Sequence, residues 1–355
     1  MKGIRVGERT IAEGGKIFVI AEMAWSHDGS YDKAKAIIKG TADAGADAIS
    51  VHVTHMDSYM TRDFGSKAGQ TTSAGKESTK IYDYLDKINI KREWWVKLFD
   101  YAKSLGLAVC AMPNDQESLK FCDELKPDMY VIAAACFVEE DFIRGVAKKG
   151  KPVILRIGGA TRKEIEQTIA WIRQEGNEEI VLLHGIQTYP TKIEDMHLNL
   201  IQSLKETFGL PVGLADHVDA ESELALIIPL LAIPLGACVI EKHLTYDRSA
   251  RGEDFEAALD PSELKKLVGY IDAAEKALGE SGFRISESES KYRLVSRKRA
   301  VAGRVIKAGE KLAKDMITFK RCDNGLYPDE VKSIIGRRAK RELRKDEPLT
   351  QDNFV

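Results

Sequence analysis

Seven histidines occur in the 355 residues, and six of them, His27, His52, His55, His184, His217 and His243, follow short β-branched runs, with His197 read as lying in a helix. Polar groups stand beside them: Glu22 and Asp28, Asn114 and Asp115, Arg156, Gln187 and Tyr189, Asp216, then Glu241 and Lys242. A single strand-end histidine is usually a satisfied structural group. Several that converge from sequence-distant strands make an acid/base or metal site. His217 and His243, each next to a carboxylate, are the strongest pair. Two imidazoles completed by water or substrate oxygens suit a borderline divalent ion, Mn foremost, with Mg, Co or Zn as alternatives, and such an ion polarises a carbonyl. Glu22 and His52 are the candidate bases.

These residues need a scaffold that gathers strand ends at one place. Eight runs read as strands: 17–23, 48–53, 107–112, 129–134, 152–157, 179–184, 211–215 and 237–243. Amphipathic stretches at 30–45, 91–106, 139–149, 161–176, 194–208, 220–232 and 261–279 read as helices, the first with Ser30 as N-cap and Gly45 as stop. The alternation predicts a (β/α)8 TIM barrel, with an open doubly wound sheet as the competing α/β arrangement. Chemistry in such a barrel sits at the C-terminal strand ends, where the polar residues fall. The stretch 54–89 is too long for an ordinary loop and reads as a lid or substrate loop.

Residues 1–280 are assigned to the barrel, 281–296 to a polar linker, and 297–355 to a small β-rich domain with turn signals "KAGE" and "DNG". That last segment holds 16 Lys/Arg against 9 Asp/Glu, either a solvated basic face or one that attracts an anionic substrate. Overall net charge is −2, which gives no reason to expect nucleic-acid or membrane binding. The five cysteines lack CxxC spacing and fit a reducing cytoplasm, and no signal peptide or uncharged apolar span is read. Walker, HExxH and GxSxG motifs are absent, which argues against nucleotide hydrolysis and serine hydrolase chemistry.

"FVIAEMAWSHDGS", "VLLHGIQTYPTKIEDMHLNLI", "GLADHVDA" and "VIEKHLTYDRSARGEDFEAALDP", in this order and spacing, resemble the sialic acid synthase (N-acetylneuraminate synthase) family. The tail from "SRKRAVAGRVIKAGE" onward resembles that family's C-terminal antifreeze-like (SAF) domain. The resemblance implies a metal-dependent condensation of phosphoenolpyruvate with an N-acylated amino sugar, giving a nonulosonic acid for surface glycans. It also implies a domain-swapped homodimer. Carried over by motif, His217 and His243 fall on the metal ligands and Glu22 beside the reacting centre. Tyr189, Glu241 and Asp254 fall on sugar contacts, and Arg321 on the arginine that the partner's antifreeze-like domain offers to the sugar.

On the donor side the match departs. Ser50 and Val131 stand where the family pattern has lysines, His52 and Gln187 replace amides, and Met112, Ala134 and Ala215 replace hydroxyl residues. Each charge-assisted phosphate contact contributes roughly 1.5–3 kcal/mol, so their joint loss requires replacements or another donor. Arg156, His52, His55 and Lys76 are the substitutes available; Arg156 reads equally as a salt-bridge partner of a strand-end carboxylate, and Asp216 and Gln187 complete the candidate substrate contacts. The competing functions are a metal-dependent aldol, lyase or epimerisation reaction on a sugar without phosphoenolpyruvate, and a non-catalytic carbohydrate-binding protein.

Overall fold

The computed structural model describes residues 3–64 and 81–355. It contains two compact units, Met1–Gly279 and Glu280–Val355. The first begins with a hairpin, β1 (Ile4–Val6) and β2 (Arg9–Ile11). Then follow β3 (Phe18–Glu22), α1 (Tyr31–Ala44), β4 (Ala48–Val53), α2 (Met56–Tyr59), α3 (Ile81–Lys87), α4 (Arg92–Ser104), β5 (Ala108–Pro113), α5 (Gln116–Leu125), β6 (Met129–Ala133) and α6 (Glu140–Ala147). The chain continues with β7 (Val153–Arg156), α7 (Arg162–Gln174), β8 (Ile180–His184), α8 (Leu200–Phe208), β9 (Val212–Asp216), α9 (Leu224–Ala232), β10 (Ala237–His243) and α10 (Pro261–Leu278). Strands β3 to β10 run parallel and close into a barrel through the pairing of β10 with β3.

Period-two alternation divides every strand between two cores. Phe18, Ile20, Ala48, Cys110, Met112, Met129, Val131, Ile154, Val181, Leu183 and Ala215 pack inside the barrel, joined by Ile4, Val6 and Ile11 of the hairpin. Val19, Ile49, Val51, Val109, Leu155, Leu182, Leu214 and Ile240 face outward to the helices. Space inside is tight at Gly213. A Cβ there would lie 2.6 Å from both Cβ and the carbonyl oxygen of Val239. Gly213→Ala is therefore expected to destabilise the barrel by about 1–3 kcal/mol, read as a lower urea midpoint in tryptophan fluorescence.

The eight barrel strands agree with the sequence reading to within a residue or two; the β1–β2 hairpin and helices α2 and α3 add to it, and three further places differ. Helix α5 was not anticipated: its C-cap is Lys126 at φ 54°, so the glycine that usually marks a helix end is missing. His197 is not helical, because it takes φ 41° between a 3₁₀ turn at Ile193–Asp195 and α8. The stretch assigned to a linker holds α11 (Glu287–Ser296), opened by a capping box of Ser286 and Glu289. Part of the insertion after β4, with Lys76, lies outside the described residues.

In the second unit β11 (Arg299–Ala302) pairs antiparallel with β12 (Ile317–Lys320). Isolated bridges such as Ile306 to Leu343 and Ala339 to Phe354 tie the remaining chain around a core of Ala300, Ile306, Leu312, Ile334, Leu343, Leu349 and Phe354.

Candidate active site

The same alternation sorts the polar strand ends. Inward positions carry Glu22 (β3), Ser50 and His52 (β4), Met112 (β5), Arg156 (β7), Glu241 and His243 (β10), with His217 just past β9. Outward positions carry Asp216 and Lys242, which form a fully buried ion pair at 2.7 Å between the barrel and its helices. Asp216 also accepts from the Val218 N–H at 3.1 Å, and Lys242 donates to the Val218 carbonyl at 3.2 Å. Asp216, expected to touch substrate, is thus turned away from the mouth and serves the scaffold.

At the centre lies Arg156, 6% exposed. Its guanidinium reaches across the barrel from β7, where Nη2 pairs with Glu22 Oε2 and, at 2.8 Å, with Glu241 Oε2. Glu22 Oε1 accepts from the Ala24 N–H at 3.0 Å and faces His52 Nε2 at 3.2 Å. Burial pushes the Glu22 carboxyl upward, but Arg156, His52 and His243 outweigh it and hold Glu22 well below the usual carboxylate range. Glu241 is lifted to about 7 by burial and by the Glu22 charge, against the pull of Arg156. Two carboxyl groups sharing one arginine are therefore pushed in opposite directions, Glu22 toward the ionised form and Glu241 toward the protonated one.

Beside this triad stand the two histidines. Their ring centroids are 5.0 Å apart, and the Tyr189 ring lies 4.5 Å from His217 and 5.4 Å from His243. His217 Nδ1 bonds the Ile186 carbonyl at 2.7 Å. A carbonyl only accepts, so Nδ1 carries the proton and the Nε2 lone pair is free for a ligand. Neither His243 nitrogen has a hydrogen-bond partner, although Nδ1 comes within 4.0 Å of Asp254. Burial lowers His217 to about 4 and, with the repulsion of His217, pushes His243 well below its ordinary value. Neutral imidazoles with buried lone pairs that no hydrogen bond occupies fit a divalent ion. Among the described residues no group of three or more His, Cys, Asp or Glu is arranged as a metal cage, so the remaining ligands would be water or substrate oxygens.

Other expected site residues scatter. His52 joins the centre through Glu22, whereas His55 caps the start of α2, bonds Ser58 Oγ at 3.0 Å, and lines a side cavity of about 330 Å³ with Asp57, Tyr82, Asp86 and Arg92. That corrects its assignment to the mouth. His27 is buried, accepts from the Gly29 N–H at 3.0 Å and is lowered to about 3 by burial. His184 points outward to the Met196 carbonyl at 2.8 Å. Gln187 accepts from the Tyr189 hydroxyl at 3.0 Å. Arg321 is an exposed residue of the second unit, just after β12. Strand parity, available from the chain alone, would have separated Asp216 and His184 from the inward set. The buried Ser50 hydroxyl, which has no hydrogen-bond partner, belongs to that set too.

A model described as the NeuB family matches residues 37–282, and one described as the SAF domain matches 297–355. Pseudaminic acid synthase of Campylobacter jejuni is 34% identical over 343 residues, covering 96% of this chain and 97% of that protein. N,N'-diacetyllegionaminic acid synthase of Legionella pneumophila is 30% identical over 330 residues, 92% of this chain and 91% of that protein. Among solved structures, N-acetylneuraminic acid (sialic acid) synthetase from Leptospira borgpetersenii in complex with citrate superposes with a TM-score of 0.71 at 28% identity, over 82% of this chain and 96% of that one. With the family model matched over most of the barrel and relatives at 30–34% identity spanning nearly the whole sequence, the chain belongs to the NeuB family and is an enzyme of the nonulosonic acid synthase type.

Proposed function

We propose that this enzyme condenses a three-carbon enol donor, phosphoenolpyruvate or a close relative, with an N-acylated amino sugar to give a nonulosonic acid. The observation that carries this reading is the His217 and His243 pair facing Tyr189, next to the ionised Glu22. A divalent ion, Mn foremost, held by the two histidines would polarise the aldehyde of the open-chain sugar. Tyr189, Gln187 and Asp254 orient that sugar, and Arg321 reaches it from the partner subunit of a swapped homodimer. Glu22, kept as a carboxylate by Arg156 and His52, stabilises positive charge on the donor after its carbon attacks and accepts a proton from the incoming water, and the resulting tetrahedral carbon breaks its bond to phosphate, which leaves as the keto group forms. Glu241, pushed upward by burial and the Glu22 charge, is the group that gives a proton to the nascent alkoxide.

The test is phosphate release from phosphoenolpyruvate with Mn and a panel of N-acylated hexosamines that includes N-acetylmannosamine. Release that depends on one of the sugars is expected, and none with any sugar overturns the proposal. Met112, Val131 and Ala215, all buried and apolar on the donor side, favour a second reading: a metal-dependent aldol, lyase or epimerisation reaction on a sugar with an unphosphorylated partner. Exchange of a carbon-bound proton next to a carbonyl in D₂O, without phosphoenolpyruvate, separates the two. The chemistry belongs to a protein with no helix, among the described residues, long and apolar enough to cross a membrane.

A further inference from the structure

Among the described residues only two lysine or arginine side chains are buried, Lys242 and Arg156. Lys242 faces outward and is bound to Asp216, so among the described residues Arg156 is the one buried Lys or Arg turned to the barrel axis. Its donors are unevenly used. Nη2 has both glutamate oxygens, while Nη1 meets only the Met112 sulfur at 3.7 Å and the buried Nε has no hydrogen-bond partner. Three strands away around the barrel the Ser50 hydroxyl, on β4 beside Glu22 in register, is also buried without a partner. Buried N–H and O–H groups are nearly always paired, and a guanidinium with idle N–H groups at the mouth of a barrel is built to receive an acceptor.

The surroundings restrict what that acceptor is. Met112, Val131 and Ala133 are its nearest inward neighbours on β5 and β6, and none brings a side-chain N–H group. Glu22 and Glu241 already hold the guanidinium from the other side. A phosphate dianion set beside Glu22 and Glu241 would be repelled more strongly than a carboxylate monoanion, and Nε and Nη1, on separate edges of the guanidinium, each offer a spare N–H to a carboxylate oxygen.

Building on the synthase reading, we propose that Arg156 receives the carboxylate of the three-carbon donor, and that the donor is selected by this carboxylate rather than by a phosphate. Phosphoenolpyruvate and pyruvate share that group. Both are therefore expected to bind at Arg156, and inorganic phosphate to bind weakly or not at all.

Calorimetric titration of the full chain with Mn, using pyruvate, phosphoenolpyruvate and inorganic phosphate in turn, tests this. Pyruvate binding is expected in the unaltered protein, with affinity about tenfold or more lower in Arg156→Gln and intermediate in Arg156→Lys, which keeps the charge and loses the planar fork. Comparable affinity for the two acids places the recognition in the carboxylate. Phosphoenolpyruvate and phosphate binding without pyruvate binding overturns the proposal, as does a folded Arg156→Gln with unchanged pyruvate affinity, or no binding of either acid. Because Arg156→Gln leaves two glutamates without their counter-ion and endangers folding, a crystal of the unaltered chain soaked with pyruvate gives a second readout. A carboxylate oxygen about 3 Å from Arg156 Nε or Nη1 supports the assignment, and a carboxylate seated elsewhere overturns it. Failure to turn over any amino sugar would sink the synthase reading while the binding result stood, and an active synthase whose donor avoids Arg156 would do the reverse.

Discussion

Lys242→Met is expected to destabilise the barrel unit by about 3–5 kcal/mol, the largest stability effect of any single substitution considered for this chain. The reason is what it leaves behind. Asp216 and Lys242 are both fully buried, side by side in the β9–β10 register, and the ammonium has no water to replace it. Removing it strands a carboxylate in an apolar layer bounded by Leu214 and Ile240. The double variant Asp216→Asn with Lys242→Met should recover most of the loss, since an amide oxygen still accepts from the Val218 N–H and no charge remains buried. Urea unfolding followed by tryptophan fluorescence reads this unit alone, because Trp25, Trp94, Trp95 and Trp171 all precede residue 280. A Lys242→Met midpoint equal to that of the unaltered chain would rule out the scaffold role given to this pair. On the proposed reading, a double variant that restores the β9 and β10 ends bearing His217 and His243 should also restore Mn affinity.

His243→Phe has the opposite signature: function should be lost and the fold kept. On the proposed reading, Mn affinity falls by at least about a hundredfold, because removal of a direct ligand exceeds the 10- to 100-fold losses typical of residues that merely support one. Sugar-dependent turnover should fall with it. Stability should change little, since the imidazole nitrogens make no hydrogen bond while the ring packs edge-on against His217 and Tyr189, a contact that phenylalanine preserves. Calorimetry with Mn on the metal-stripped protein is the direct check. Retained Mn affinity in a well-folded His243→Phe would remove His243 from the metal site.

The eight strands, their order and the enrichment of polar groups at one barrel face were legible along the chain, because each is a local property. A parallel strand buried on both faces is a short β-branched run, and the mouth is simply where those runs end. Helix α5 lacks such a local mark: Lys126 supplies the left-handed C-cap in place of a glycine, leaving only Asp115 and Pro127 as punctuation. The helix inside 281–296 had its signal in plain sight, the Ser286 and Glu289 capping box.

Composition and motif order by themselves determined the barrel, a small β-rich C-terminal domain and the candidacy of Glu22, His217 and His243, since these depend on residue type and spacing. Which polar groups meet was decided only in three dimensions. Arg156 could be read as a substrate contact or as an ion-pair partner until the closed barrel brought β7 opposite β3 and β10, so that one guanidinium met two glutamates over 80 residues away in either direction. His55 and His52 are three residues apart, yet one caps a helix beside a lateral cavity and the other faces Glu22. Asp216 and His217 are adjacent, and the pleat turns them to opposite sides of the wall, one into the scaffold and one into the site. Side-chain direction and cross-barrel distance follow from closure of the sheet, and no stretch of sequence carries them locally.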